Sequence, residues 1–350
     1  MYKPKAASIF LNRACPRHCP YCNSVKPEIE KKRLSVEEWK NVFELLEGLG
    51  VEFFLNLGTE PLLMGDEIVE LVRFWSKKDY EYGFYSTSPE PWFSKLKDKL
   101  IEAGIRNWSS GIDYIDEVYR NGKWSSFTHE LVKSQHDELI RKAREAVRGM
   151  KEMDKYVEET HAQITISKMN VEMVPGIVKW LSENIENIHV GLNFVEYSPE
   201  NYMDFATSFN KAHSYFFTKD DIPLLKKLEE EINSLDNKYK ARIQNPLDYL
   251  SNYDYIINLN RRCALKSLSM GIEADGTIRL CGYRQLKKKL TVKDLEENPE
   301  KVLSEIEKEH EECHGCYWSY PYTIEKGDID IVNYRSELWK RRLEYNEVSI

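Results

Sequence analysis

Ala6-Ala7-Ser8-Ile9-Phe10-Leu11 runs directly into Asn12-Arg13-Ala14-Cys15-Pro16-Arg17-His18-Cys19-Pro20-Tyr21-Cys22, an apolar stretch of strand length followed by three cysteines at C-x3-C-x2-C spacing. Three thiolates on one tight loop suit a [4Fe–4S] cluster, because each can reach a different iron of a compact cube when the backbone curls around it. The fourth iron is then left without a cysteine. An open iron is a place where a small molecule can bind and exchange an electron. The competing readings of the same residues are a zinc knuckle, a disulfide site or buried thiols. Zinc prefers a C-x2-C pair with a partner pair elsewhere, which the x3 spacing matches poorly.

Around this stretch the chain has 350 residues, 41% of them hydrophobic, enough for one large domain or a domain with an appendage. The net charge of -8, from 50 Lys+Arg against 58 Asp+Glu, argues against general binding to nucleic acid or anionic membranes. No N-terminal apolar segment of signal-peptide type and no run long enough to span a bilayer is present, so a cytoplasmic location is expected. All seven cysteines fall into two groups, three near the N-terminus and four near the C-terminus. In a reducing compartment such groups read as metal ligands.

From residue 6 to about 200, apolar runs of strand length alternate with amphipathic stretches of helical spacing, the mark of βα units and a parallel sheet. Strands are expected at Ala6–Leu11, Val51–Leu57, Tyr82–Tyr85, Ile105–Ile112, Ala162–Ser167 and Ile188–Val195. Helices are expected at Val36–Glu47 with Ser35 as N-cap, Asp66–Lys77, Trp92–Ala103, around Glu130–Tyr156, Val174–Asn184 and Ile222–Leu235. Six such units predict an α/β fold, a partial (β/α)6 parallel barrel, with functional groups at the C-terminal strand ends. The cysteine loop lies at such an end. The expected organisation is a barrel over 1–205, a helical connector over 206–260, a cysteine-rich subdomain over 261–322 and a tail over 323–350.

The second strand exits into Leu57-Gly58-Thr59-Glu60-Pro61-Leu62. With Cys15, Cys19, Cys22 and the aromatic Tyr21, this resembles the radical S-adenosylmethionine (radical SAM) superfamily, whose Gly-Gly-Glu-Pro turn is matched here with Thr59 in place of the second glycine. The resemblance implies that Gly58, Thr59, Glu60 and Pro61 bind the amino group of S-adenosylmethionine through backbone carbonyls and the glutamate. Such an amino group needs rigidly held acceptors, which a strand end followed by proline provides. The fourth strand ends Ser109-Ser110-Gly111-Ile112-Asp113, similar in part to a Ser-x-Asp ending in the family, with Gly111 where the serine would stand. Ser110 and Asp113 are candidates toward the carboxylate or ribose, with helix capping or a turn as the alternative role. Thr165, Ser167 and Asn170 are further candidates on the same terms.

Cys263, Cys281, Cys313 and Cys316 form the second group. Met270–Leu280, with Asp275-Gly276 at its centre, reads as a hairpin that carries Cys281 back toward Cys263. A helix around Asp294–His310 then leads to Cys313-His314-Gly315-Cys316. This layout looks like the twitch domain, the shortened relative of the SPASM domain found after many radical SAM barrels, and implies a second, auxiliary [4Fe–4S] cluster. Structural zinc satisfies four cysteines equally well and stays open as an alternative.

By resemblance, the first cluster cleaves S-adenosylmethionine to methionine and a 5′-deoxyadenosyl radical that abstracts a substrate hydrogen. A fully ligated second cluster suits an electron acceptor, so net substrate oxidation of a dehydrogenase kind is expected, as in the twitch-type aminocyclitol dehydrogenases. An external donor of flavodoxin or ferredoxin type would supply the electron. The alternatives are a peptide- or protein-modifying maturase and a non-catalytic iron–sulfur or zinc scaffold. The strand pattern begins almost at Met1, without room for a leader-binding domain, which weighs against the peptide alternative. No histidine pair or other residue is singled out as a general base.

Overall fold

The computed structural model describes residues 3–19, 22, 24–56, 59–195, 215–245, 247–258, 269–282 and 284–313. Within them β1 (Ala6–Ile9) leads through the cysteine loop to the short α1 (Pro27–Glu30) and then α2 (Val36–Gly48). Ser35 caps α2 in a reciprocal box with Glu38, which fixes where the helix starts. The repeat continues as β2 (Phe53–Asn56), α3 (Asp66–Trp75), β3 (Glu81–Gly83), α4 (Trp92–Glu102), β4 (Asn107–Gly111), α5 (Asp116–Asn121), α6 (Ser126–Met153), β5 (Glu159–Ile166), α7 (Val174–Asn184) and β6 (Ile188–Phe194). Beyond it come α8 (Ile222–Ser234), α9 (Asn237–Lys240), α10 (Tyr253–Asn258), the hairpin β7 (Ser269–Ile272) and β8 (Ile278–Arg279), then α11 (Val292–Glu297) and α12 (Pro299–Glu311).

The expected α/β architecture is present. One sheet runs β3-β2-β1-β7-β8 and the other β4-β5-β6, and a parallel bridge between Tyr85 and Ser109 joins them. Strands β1 to β6 therefore follow one another in space, all parallel. Strand β7 pairs parallel with β1, with Ile9 opposite Ile272, so the C-terminal hairpin extends the barrel sheet on the free side of β1. The helix-facing residues Ala162, Ile164 and Ile166 of β5 are fully buried, while His161, Gln163 and Thr165 on the opposite face are half-buried. That alternation is the period-2 signature of a strand with an apolar outer layer and a polar inner face.

Two expectations change. The single helix around Asp294–His310 is two helices, because Asn298 caps a new one with Pro299 at its first position. Strand β5 starts earlier than Ala162, at Glu159. Tyr215, Phe216 and Phe217 are buried core; the aromatic residues Tyr202, Phe205 and Phe209 that precede them lie outside the described residues. Among the described residues no helix is long and apolar enough to cross a membrane.

Candidate functional site

The cysteine loop is held at its base by the chain on either side of it. Arg13 N–H donates to Glu30 at 2.5 Å and Lys26 N–H to the Arg13 carbonyl at 3.0 Å. Cys22 N–H donates to the Cys19 carbonyl at 3.0 Å, a tight turn that brings the last two cysteines round together. Cys15 and Cys19 are half-buried and Cys22 is exposed. Burial, with the Glu60 carboxylate nearby, pushes the Cys15 thiol up to about 12. Burial also raises Cys19, against the pull of the neighbouring Lys142 ammonium.

The second motif packs directly on this loop. Asn12 Nδ2 donates to the Glu60 carbonyl at 2.9 Å, Glu60 N–H to the Ala14 carbonyl at 3.1 Å, and the Thr59 hydroxyl to the Asn12 carbonyl at 2.8 Å. The residue that departs from the family pattern thus makes one of the three links, through a hydroxyl that glycine lacks. Gly58 lies outside the described residues. Pro61 opens a single 3-10 turn, Pro61–Met64, capped by Glu60.

Glu60 is completely buried, and its carboxylate is filled by donors of the chain itself. Oε1 accepts from Ser86 Oγ at 2.7 Å and Leu62 N at 3.3 Å; Oε2 accepts from Thr87 N and Thr87 Oγ1, both at 2.8 Å. Burial raises its pKa while these four donors lower it, and burial prevails. Thr87 in turn accepts from Arg17 of the cysteine loop, Nε to Oγ1 at 3.1 Å and Nη2 to the carbonyl at 3.2 Å, and Arg17 also pairs with Glu145 on α6. One hydrogen-bonded chain therefore joins the cysteine loop, the exits of β2 and β3, and α6.

Asp113 is buried at the exit of β4. Its carboxylate meets Lys142 Nζ at 2.5 Å and the Thr165 N–H at 3.0 Å. Asn170 donates to the carbonyls of Asp113 and Thr165, each at 3.0 Å, and accepts from Ser167 N–H at 2.8 Å. Asp113, Thr165, Ser167 and Asn170 are thus brought together by hydrogen bonds to one another. A Cβ on residue 111 would lie 3.7 Å from Lys142 Nζ, an ordinary van der Waals contact, so the approach of the ammonium does not itself require glycine there. Ser110 is also buried, with a hydroxyl that has no hydrogen-bond partner among the described residues. Sequence reasoning missed Arg17, Ser86, Thr87 and Lys142. Lys142 in particular sits in a charged helix, where its neighbours give no sign that it points inward.

Of the second cysteine group, Cys281 and Cys313 are described and half-buried. Cys263 and Cys316, with His314, lie outside the described residues. Among the described residues no three His, Cys, Asp or Glu side chains converge as ligands of a single ion.

Residues 9–181, from β1 through the cysteine loop into α7, match the family model of the radical SAM superfamily. The chain belongs to the radical SAM superfamily. A glycyl-radical enzyme activating enzyme, as it is designated, of Methanocaldococcus jannaschii is 31% identical over 104 residues, 29% of this chain and 42% of that protein. The PqqA peptide cyclase of Bradyrhizobium diazoefficiens is 33% identical over 106 residues, 29% of this chain and 27% of the relative. The chain thus matches less than half the length of either. In fold it is similar to Streptococcus suis SuiB bound to the precursor peptide SuiA, with a TM-score of 0.59 at 13% identity over 83% of this chain and 63% of that one.

Radical SAM proteins use a [4Fe–4S] cluster and S-adenosylmethionine, and the residues present fit both. Three thiols share one loop, with the Lys142 ammonium beside Cys19. Buried Asn12 Oδ1 and Arg17 Nη1 have no partner among the described residues, as an acceptor and a donor reserved for a ligand would.

Proposed function

We propose that this radical SAM enzyme carries out a net oxidation, such as a cross-link or desaturation, on a peptide or protein substrate. What carries the choice of substrate is the likeness to a peptide cyclase over 106 residues, 33% identical. The fold likeness to SuiB, solved with its precursor peptide, supports it over 83% of the chain. Oxidation of an alcohol-bearing small molecule is the second reading, favoured by the layout of the C-terminal cysteines.

Cys15, Cys19 and Cys22 would hold the cluster, which when bound supplies the electron that splits S-adenosylmethionine into methionine and a 5′-deoxyadenosyl radical. The chain's part is positional. Thr59 and Asn12 lock the motif turn to the loop, Glu60 and Thr87 hold the β3 exit, and Arg17 ties the loop to it. Lys142, oriented by Asp113, gives the site a cation for the carboxylate of S-adenosylmethionine. Cys263, Cys281, Cys313 and Cys316 would hold a second [4Fe–4S] cluster that accepts the electron released by the substrate, and a flavodoxin- or ferredoxin-like donor would feed the first. The cysteine-rich unit over 261–322 and the barrel over 1–205 divide these tasks.

Anaerobic reconstitution with iron and zinc counting, followed by assay of 5′-deoxyadenosine with a strong reductant, tests the proposal. About eight irons per chain and S-adenosylmethionine cleavage are expected. About four irons with one zinc would remove the second cluster, and absence of cleavage would remove the activity. Product mass spectrometry with peptides encoded beside the gene separates the two substrate classes.

A further inference from the structure

Arg13 stands two residues before Cys15 and Arg279 two residues before Cys281, and both guanidiniums close on one carboxylate. Glu273 Oε1 accepts from Arg13 Nε at 2.6 Å; its Oε2 accepts from Arg13 Nη2 at 2.5 Å and from Arg279 Nη1 at 3.0 Å. The three residues are 0%, 3% and 0% exposed. Both cations also lie over the Phe10 ring, at 4.0 and 4.7 Å from its centroid. Each arginine then grips the backbone of its own cysteine segment. Arg13 Nη1 donates to the Ser24 carbonyl at 3.2 Å, just past Cys22; Arg279 Nε donates to the Cys281 carbonyl at 3.3 Å and Nη2 to that of Gly282 at 3.4 Å.

The junction is local to both sites. Phe10 N–H donates to the Ile272 carbonyl at 2.9 Å, so the carboxylate lies where the chain leaves β1 and β7 side by side. Burial works to raise the Glu273 carboxyl, and the two guanidiniums hold it below the usual range all the same. Two cations and the anion they share are thus packed together in a dry interior. An apolar cluster of the same volume would join the two segments without the desolvation cost. What it could not supply is bidentate registration and a fixed charge.

We propose that Glu273 is a positioning residue that registers the two cysteine-bearing segments against each other and sets a shared field for both iron–sulfur clusters. The inference rests on the reading that the Cys281 segment carries a cluster. A buried positive charge favours the reduced form of a nearby cluster, so its removal or exposure moves the reduction potential.

The test is a potentiometric titration, followed by electron paramagnetic resonance, of full-length protein reconstituted anaerobically. Glu273→Gln strips one negative charge and should shift both cluster potentials positive. Arg279→Met strips one positive charge and should shift both negative, while Arg279→Lys leaves them near the parent values. Loosened packing alone does not produce shifts of opposite sign. Unmoved potentials in both charge-changing variants, or shifts of the same sign, overturn the proposal; should Glu273→Gln fail to fold, Arg279→Met against Arg279→Lys decides it. Failure of the underlying reading shows separately, as a parent protein with about four irons instead of about eight.

Discussion

The Thr59 hydroxyl donates to the Asn12 carbonyl at 2.8 Å, linking the turn after β2 to the strand exit that carries the cysteines. A glycine at this position would leave that carbonyl without its side-chain donor. Thr59→Val keeps the shape and removes the hydroxyl. It should cost about 1 kcal/mol in denaturant unfolding and weaken the spectroscopic response of the cluster to S-adenosylmethionine, whereas Thr59→Ser restores both. An unfolding midpoint equal to that of the parent would show that the link contributes nothing.

Glu60 presents a sharper choice between two roles. With four donors of the chain on its two oxygens, its carboxylate acts as a brace. Glu60→Gln turns one acceptor into a donor facing other donors, and should cost on the order of 2–3 kcal/mol and lower iron incorporation. If stability and iron content were instead intact and only S-adenosylmethionine affinity fell, the carboxylate would be a direct ligand.

Lys142 and Asp113 form a buried pair at 2.5 Å. Removing either partner strands a charge, so Lys142→Met and Asp113→Asn should each destabilise, the former by about 3–5 kcal/mol. The double variant should be more stable than the sum of the two losses predicts. Strict additivity in urea unfolding would mean that the pair is not coupled.

His310 on α12 is buried and donates from Nε2 to the Ser269 carbonyl at 3.1 Å. Burial, aided by Arg284, pushes its pKa from the ordinary 6.5 down to about 4, against the pull of that hydrogen bond. The folded state therefore holds the neutral ring. Its contribution is complete above pH 6.5 and is lost as pH falls through about 4. Unfolding midpoints of the metal-free chain at pH 7.5 and pH 5 should diverge more for the parent than for His310→Gln. Equal divergence would show that another group carries the acid sensitivity.

Much of the barrel was legible because its signals are local. Short continuous apolar runs such as Phe53–Asn56 and helical runs such as Asp66–Trp75 report their own burial, since a strand or helix exposes its pattern within one element. Asn298-Pro299 is a local signal too, an N-cap followed by proline that separates α11 from α12.

The sequence by itself determined the cysteine loop, the motif turn one βα unit later and the alternation that makes a parallel barrel, since the chemistry of each is complete within a few residues. Only the tertiary structure decided which partners those residues have. Arg13 and Glu273 are 260 positions apart, Arg17 and Glu145 128, and Lys142 and Asp113 29. A charged side chain in a helix looks the same in sequence whether it faces water or a buried carboxylate. The difference arises when β7 docks beside β1 and α6 crosses the strand exits, because those contacts remove water and leave only another charge to replace it.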